Sequence, residues 1–281
     1  MFLTSVVSLS ELTENLEKEF LELVLRYLKE NKICDWIQQP PNWAIFRTVP
    51  DKSIFCQFGT YLIDLQADEN IKILKKMHRD HRQHIIHATK NKAITIKKKG
   101  LELINYCIEV FSASTAGKNV DLPSKGDLEI LVETLPDNIK IYVAYFNSIP
   151  QSSVIYFFDK LSYYAVYAGM VSNPVEGINH LLHWQAMLDA KCNGVRYYDF
   201  VGSRVDPVPG TKQAGLKRFK SHFGGKFTQG YLWKFPISKP KYYICCCLTK
   251  FFFLLKLKWY AGDIIDQELR QIKRYKKLAK V

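Results

Sequence analysis

Residues 194–236 read GVRYYDFVGSRVDPVPGTKQAGLKRFKSHFGGKFTQGYLWKFP. The run Val195–Val201 is aromatic and β-branched, so it predicts a strand that carries Asp199, and then Gly202-Ser203, to a sheet end. A Pro/Gly-rich loop separates it from a helix over about Gln213–Phe223. Leu216 and Phe219 or Phe223 of that helix can pack inward, while Lys212, Lys217, Arg218, Lys220 and His222 crowd the remaining surface. Gly224-Gly225 ends the helix and starts the next strand. A strand, a basic helix and a glycine turn in this order place the chemistry of the chain here.

Outward from this stretch the same grammar recurs. Gly59–Ile96 contains GTYLIDL and then KKMHRDHRQHIIHATKNKAITI, which predict a strand, a basic helix over about Asp68–Lys90 and a strand over Ala93–Ile96. Upstream, Ser8-Leu9-Ser10-Glu11 has the spacing of a capping box opening an amphipathic helix. In that helix Leu12, Leu16, Phe20, Leu23, Tyr27 and Leu28 recur at helical spacing, with a stop near Asn31 before Pro40-Pro41. Short strands are expected at Trp43–Thr48, Ile54–Phe58 and Tyr61–Leu65. Helices follow at Leu101–Ser112 and Lys125–Thr134, and strands at Ile139–Phe146 and Ser153–Phe158 around a turn at Asn147–Gln151. A strand at Ser162–Met170 and a helix at Val175–Cys192 complete a mixed α/β order.

Segments 194–236 and 59–96 resemble the FemABX aminoacyltransferases, a family of the GNAT-like acyltransferase superfamily. YDF-x-GS, the loop and GLKRFKSHFGG are similar to that family's C-terminal signature, and the second segment looks like its strand, basic helix and strand. The resemblance spans roughly residues 10–240. It implies two GNAT-like units, the first shortened at its N-terminus: residues 1–98 and 99–238, the latter carrying the acyl-transfer motif, followed by a hydrophobic and basic segment at 239–281 that ends in a helical tail. It also implies that Phe219-Lys220 lies at the acyl-transfer centre, where a preorganised cation steadies the oxyanion formed when an amine attacks an acyl ester. Arg82 and Lys90 fall where the family keeps basic residues, whereas Ile86 departs from its pattern. Asp199 stands as either a proton acceptor or a positioning group for Arg204 or a backbone amide. Gly202, Ser203, Arg204, Arg218, Gly224 and Gly225 complete the expected substrate-binding set.

Composition limits the partners. The chain has 281 residues, with 47% hydrophobic and 14% aromatic residues, enough for a proper core. Forty Lys and Arg against 27 Asp and Glu give +13, which favours anions: nucleic acid, nucleotide-linked sugars or an acidic lipid surface. Solubility alone is the plainer reading of that charge. Lys72, Lys75, Lys76, Arg79, Arg82 and Lys90 share the helix of the second segment and can hold phosphate. His78, His81, His84 and His87 recur there every three residues. Each step turns a helix by about 300°, so the four imidazoles cannot converge on one ion, and no metal site is expected.

Cysteines 34, 56, 107, 192 and 245–247 lack the paired spacings of a zinc ribbon. The first twenty residues show no export signal, and a reducing cytoplasm with buried structural thiols at the four isolated positions is expected. Tyr242–Tyr260, YYICCCLTKFFFLLKLKWY, is interrupted by Lys250, Lys256 and Lys258, which argues against a membrane span. A segment lying at an anionic membrane interface and a helix packed on the first unit stand equal here.

For function, the resemblance implies amide formation on an amino group of a cell-envelope precursor, lipid- or nucleotide-linked, with aminoacyl-tRNA as donor. YAGMVSNPVEGINHL, residues 167–181, lacks the paired glycines and basic residue of a pyrophosphate-cradling loop, which weighs against acyl-CoA. No cofactor is expected. The alternatives are an acyl-CoA-dependent N-acyltransferase acting on an amino sugar, and a catalytically silent nucleic-acid or membrane-binding module. The expected location is cytoplasmic, including the inner face of the cell membrane.

Overall fold

The computed structural model describes residues 13–43, 45–115, 122–257, 260 and 262–278. The elements in chain order are α1 (Glu14–Glu30), β1 (Trp36–Gln38), β2 (Ile54–Asp64), α2 (Asn70–Lys76), α3 (Arg79–Lys90) and β3 (Ile94–Lys99). A 3₁₀ turn (Leu101–Leu103) leads into α4 (Ile104–Thr115), followed by α5 (Lys125–Thr134), β4 (Ile139–Phe146), β5 (Ile149–Phe158) and β6 (Ser162–Met170). Then come α6 (Ile178–Cys192), β7 (Tyr197–Asp199), α7 (Lys212–His222), β8 (Lys226–Pro236), α8 (Lys239–Leu255) and α9 (Ile264–Leu278). The fold is mixed α/β, with strand order β1-β8-β2-β7-β6-β5-β4-β3. All neighbouring pairs with a recorded register are antiparallel except β6–β7.

Two compact units are present, and neither is one continuous segment. The larger comprises Tyr61–Val201 and Pro207–Thr228; the smaller comprises Met1–Thr60, Gly202–Asp206 and Gln229–Val281. In the larger unit, β4, β5 and β6 form a meander whose buried faces carry Tyr142, Ala144, Val154, Tyr156, Tyr163 and Ala165. Ile178, Leu182, Ala186, Met187 and Ala190 of α6 pack into the same core. The β4–β5 turn is only Asn147-Ser148, both at positive φ (47° and 64°), as a two-residue hairpin of this twist requires. The expected turn at Asn147–Gln151 is therefore shorter, and β5 starts at Ile149. In the smaller unit, Leu21, Leu25 and Leu28 of α1 pack with Ile37, Phe46 and Trp233.

Several expectations need correction. The capping box at Ser8–Glu11 and Leu12 lie outside the described residues; α1 begins at Glu14, where the Thr13 hydroxyl accepts from the Leu16 amide. Leu16, Leu23 and Tyr27 are exposed, and the buried stripe instead runs through Glu17, Leu21, Leu25 and Leu28. Glu17 belongs there because its carboxylate accepts from the amides of Arg47 and Thr48. Those two amides are therefore not free for a sheet, and the described residues of the strand expected at Trp43–Thr48 pair through a bridge from Phe46 to Tyr231. The strands expected at Ile54–Phe58 and Tyr61–Leu65 are one strand, because Gly59 stays extended and exchanges both backbone hydrogen bonds with Ser203. The helix expected at Asp68–Lys90 breaks at Met77-His78. There the buried Met77 is extended, the His78 ring accepts from the Asp80 amide, and Arg82 Nη1 donates to the carbonyls of Lys75 and Met77. α6 starts at Ile178, after the left-handed Gly177, rather than at Val175.

Candidate acyl-transfer site

The strand expected over Val195–Val201 holds ladder pairing only at Tyr197–Asp199. It runs antiparallel to Leu62–Asp64 of β2 and parallel to Ser162–Tyr164 of β6. Pairing with β6 ends at Tyr164↔Asp199, and β6 continues to Met170 without β7 beside it. At this parting the chain turns sharply. Val201 has φ 43°, a conformation a β-branched residue adopts only when its surroundings force it. Two side chains hold it from opposite ends: Asp199 Oδ1 accepts from the Val201 amide at 2.6 Å, and Lys220 Nζ donates to the Val201 carbonyl at 2.6 Å.

Lys220 was expected among the basic side chains crowding the surface of its helix; the structure turns it inward. The cause is helical geometry. Phe223 is buried and Phe219 packs against the same core, and Lys220, on the flank of the helix about 60° past Phe223, reaches Val201. Leu216, expected to pack inward, is exposed instead. Burial pulls the Lys220 ammonium down to about 8, while the carboxylate of Asp199 works in the opposite direction. Asp199 itself is only 4% exposed. The arrangement is a desolvated cation aimed at a strained peptide, and such an ammonium can donate to a developing oxyanion in place of a carbonyl.

The other expected residues are dispersed. Arg82 spends Nη1 on the α2–α3 break, whereas Lys90 and Arg218 are exposed on α3 and α7. Gly224, at φ 78°, ends α7, and a Cβ there would come within 2.7 Å of the Lys76 carbonyl oxygen. Gly225 follows against Leu62 and Ile63. Gly202, Ser203 and Arg204 belong to the smaller unit. A Cβ on Gly202 would lie 1.8 Å from the Pro41 carbonyl oxygen, so no larger residue fits. Ser203 is bridged to Gly59, and Arg204 pairs with Glu268 at 2.7 Å and donates to Gln267 at 2.7 Å.

The periodic histidines have a role that spacing along one helix could not reveal. Their partners come from α6 and α7: His78 stacks on His222 at 4.1 Å, His81 meets His180 at 4.4 Å and His222 at 5.2 Å, and His84 stacks on His180 at 4.7 Å. His81 Nε2 lies 3.1 Å from the Phe219 carbonyl oxygen, which ties α3 to the helix bearing Lys220. Burial lowers His81 to about 4 and His180 and His183 to about 3, so all three are neutral at pH 7. His183 Nδ1 meets the hydroxyl of Tyr198 at 2.6 Å, and Tyr198 meets Tyr156 at 2.9 Å. Tyr156, Tyr198 and His183 thus form a buried hydrogen-bonded network. Among the described residues no group of three or more His, Cys, Asp or Glu is placed to hold a metal ion.

Two comparisons bear on this geometry. The family described as "Acetyltransferase (GNAT) domain" matches residues 75–221, more than half of the chain, from α2 through Lys220. The chain belongs to this GNAT acetyltransferase-domain family. It is an acyltransferase by family, and Phe219 and Lys220 of α7 lie inside the matched span, which ends at Ser221 before Phe223-Gly224-Gly225. Among solved structures the GNAT chain resembles FemX (TM-score 0.61, 13% identity, covering 81% of this chain and 79% of FemX). It also resembles the C-terminal domain of a putative lysylphosphatidylglycerol synthetase from Agrobacterium fabrum (TM-score 0.55, 13% identity, covering 78% and 74%). A conserved protein of unknown function from Bacteroides thetaiotaomicron follows (TM-score 0.50, 11% identity, covering 75% of each chain). At these identities the likeness is one of fold, and at that level it bears out the FemABX-type resemblance. No curated protein sequence matches the chain.

Proposed function

We propose that this GNAT chain transfers an aminoacyl group from aminoacyl-tRNA to an amine of a cell-envelope precursor. The observation that carries the proposal is the clamp of Asp199 and Lys220 on Val201 where β7 leaves β6. In this reading the amine lone pair attacks the ester carbonyl carbon. The C–N bond forms, Lys220 donates to the oxyanion, the C–O bond to the ribose breaks, and the proton released by the new amide nitrogen goes to the ribose oxygen. Asp199 is then a positioning group: it fixes the Val201 turn and holds the neighbouring ammonium in its charged form. Phe219 packs beside His183 and supplies an apolar wall.

Charge and the start of α6 favour this donor. Exposed Lys72, Lys75, Arg79 and Lys90 line α2 and α3 and suit the backbone of a nucleic acid. A pyrophosphate at the N-terminus of α6 would instead meet Glu176, which pairs with His84 at 3.2 Å. A lipid-linked acceptor is favoured by the fold shared with the C-terminal domain of a putative lysylphosphatidylglycerol synthetase, which by its name makes an aminoacylated lipid.

An acyl-CoA-dependent N-acyltransferase is the second reading, favoured by the acetyltransferase description of the matched family. Transfer of radiolabel to an extract of envelope precursors separates them. Label from a mixed aminoacyl-tRNA pool and none from acetyl-CoA is the expected result. Label from acetyl-CoA alone establishes the second reading, and label from neither leaves a binding module.

A further inference from the structure

We infer that α8 docks the protein on an anionic lipid bilayer, lying in the plane of the interface with its apolar face inserted. Helix α8 belongs to the smaller unit and is anchored there by Tyr242, whose ring packs edge-on to Trp36, and by the Lys241–Asp35 ion pair at 2.9 Å. Most of its large apolar side chains face outward: Tyr243 is 57% exposed, Leu248 62%, Phe251 57% and Leu255 66%. Leu248, Thr249, Phe251, Phe252 and Leu255 line a shallow, mostly apolar groove of about 410 Å³. An exposed apolar run of this extent is not an ordinary feature of a water-facing helix.

The charge pattern selects the occupant. At about 100° per residue, positions 243, 244, 247, 248, 251, 252, 254 and 255 sweep a sector of about 180°. Lys239 and Lys250 lie along one border of that sector and Lys256 along the other; all three are exposed. No Asp or Glu occurs from 239 to 257. A helix with an apolar half bordered on both sides by lysines seats its apolar face among acyl chains and its ammonium groups among lipid phosphates. A second copy of this chain fits less well, because pairing α8 with itself sets lysine borders against each other with no carboxylate between them. Arg270, Lys273 and Arg274 are exposed on α9 of the same unit and add to its positive charge. Among the described residues no helix is long and apolar enough to cross a membrane, so α8 lies on the bilayer rather than through it.

The inference rests on α8 and not on the acyl-transfer reading. Its test is co-sedimentation of the full chain with vesicles of phosphatidylcholine alone and of phosphatidylcholine mixed with phosphatidylglycerol. The mixed vesicles should bind at least about tenfold more tightly, with the preference lost in high salt. Phe251→Glu with Leu255→Glu should abolish sedimentation on both vesicles, and glutamine at Lys239, Lys250 and Lys256 should remove only the anionic preference. All five positions are exposed, so circular dichroism of each variant should match the parent, and transfer to a water-soluble amine should be unchanged. Absence of vesicle binding by the parent, or equal binding by the Phe251/Leu255 variant, overturns the inference. A dimer that the same variant dissolves, with vesicles left unbound, overturns it in favour of a second copy.

Discussion

At the scale of single residues, the account turns on Lys220 being a cation because of where it sits. Its charged form is the acid, and burial lowers it to about 8, so donation to an oxyanion is available below that pH and is withdrawn above it. The kcat profile should therefore fall along a one-proton limb near pH 8 rather than near the ordinary lysine value. A profile flat to pH 10 would remove Lys220 from the chemistry. Arg204 makes a different prediction. Burial raises the Glu268 carboxyl and Arg204 pulls it down, so Arg204→Ala leaves a buried carboxylate without its counter-charge. A loss of about 3 kcal/mol in urea unfolding is expected, and a change below about 0.5 kcal/mol would show the pair to be inert. The residue identities around Lys220 were legible in the sequence through the α7 motif. Its inward orientation was not, since a lysine beside Lys217 and Arg218 reads as a solvated face until Phe219 and Phe223 are seen to share the core.

At the scale of elements, α3, α6 and α7 meet through imidazoles, and this sets an acid limit on stability. The folded state holds His81 and His183 neutral down to about pH 4 and 3, while the unfolded chain protonates near 6.5. The groups facing them are His78, His84 and Asp80 of α3, His180 of α6, Glu176 before it, and Arg218, Lys220 and His222 of α7; most are cationic once protonated. Stability from the two buried rings is thus complete above pH 6.5 and declines as pH falls towards 4, on the order of 2 kcal/mol for each at pH 5. Thermal unfolding followed from pH 7.5 to 4.5 should show a midpoint falling steadily below 6.5, and a midpoint constant over that range would contradict the array. Periodicity revealed α3 but not its partners, because His180, His183 and His222 lie far away in sequence. Helix existence was legible nearly everywhere. The break at Met77-His78 was not, because it depends on the Arg82 guanidinium bonding to the Lys75 and Met77 carbonyls.

At the scale of the whole molecule, the sequence order of strands and helices was enough to read a GNAT-like mixed α/β fold. The hairpin strands β4, β5 and β6 were legible because each is a long apolar run bounded by turn residues. Strands in the smaller unit were harder: Trp43–Thr48 alternates like a strand, yet its amides go to Glu17, a partner about thirty residues away. Net charge also acts at this scale. With +13 on 281 residues, affinity for tRNA should fall steeply with salt, by at least about tenfold between 50 and 200 mM if three or more phosphates are contacted. Salt-independent binding would place the charge elsewhere in the protein's work.

The central claim is that acyl transfer is centred on Lys220, and single-turnover transfer from aminoacyl-tRNA by the parent and by Lys220→Ala tests it most directly. The account predicts a rate lower by about 10²–10³ in the variant, with tRNA affinity and circular dichroism unchanged. A folded variant that transfers at the parent rate would contradict it.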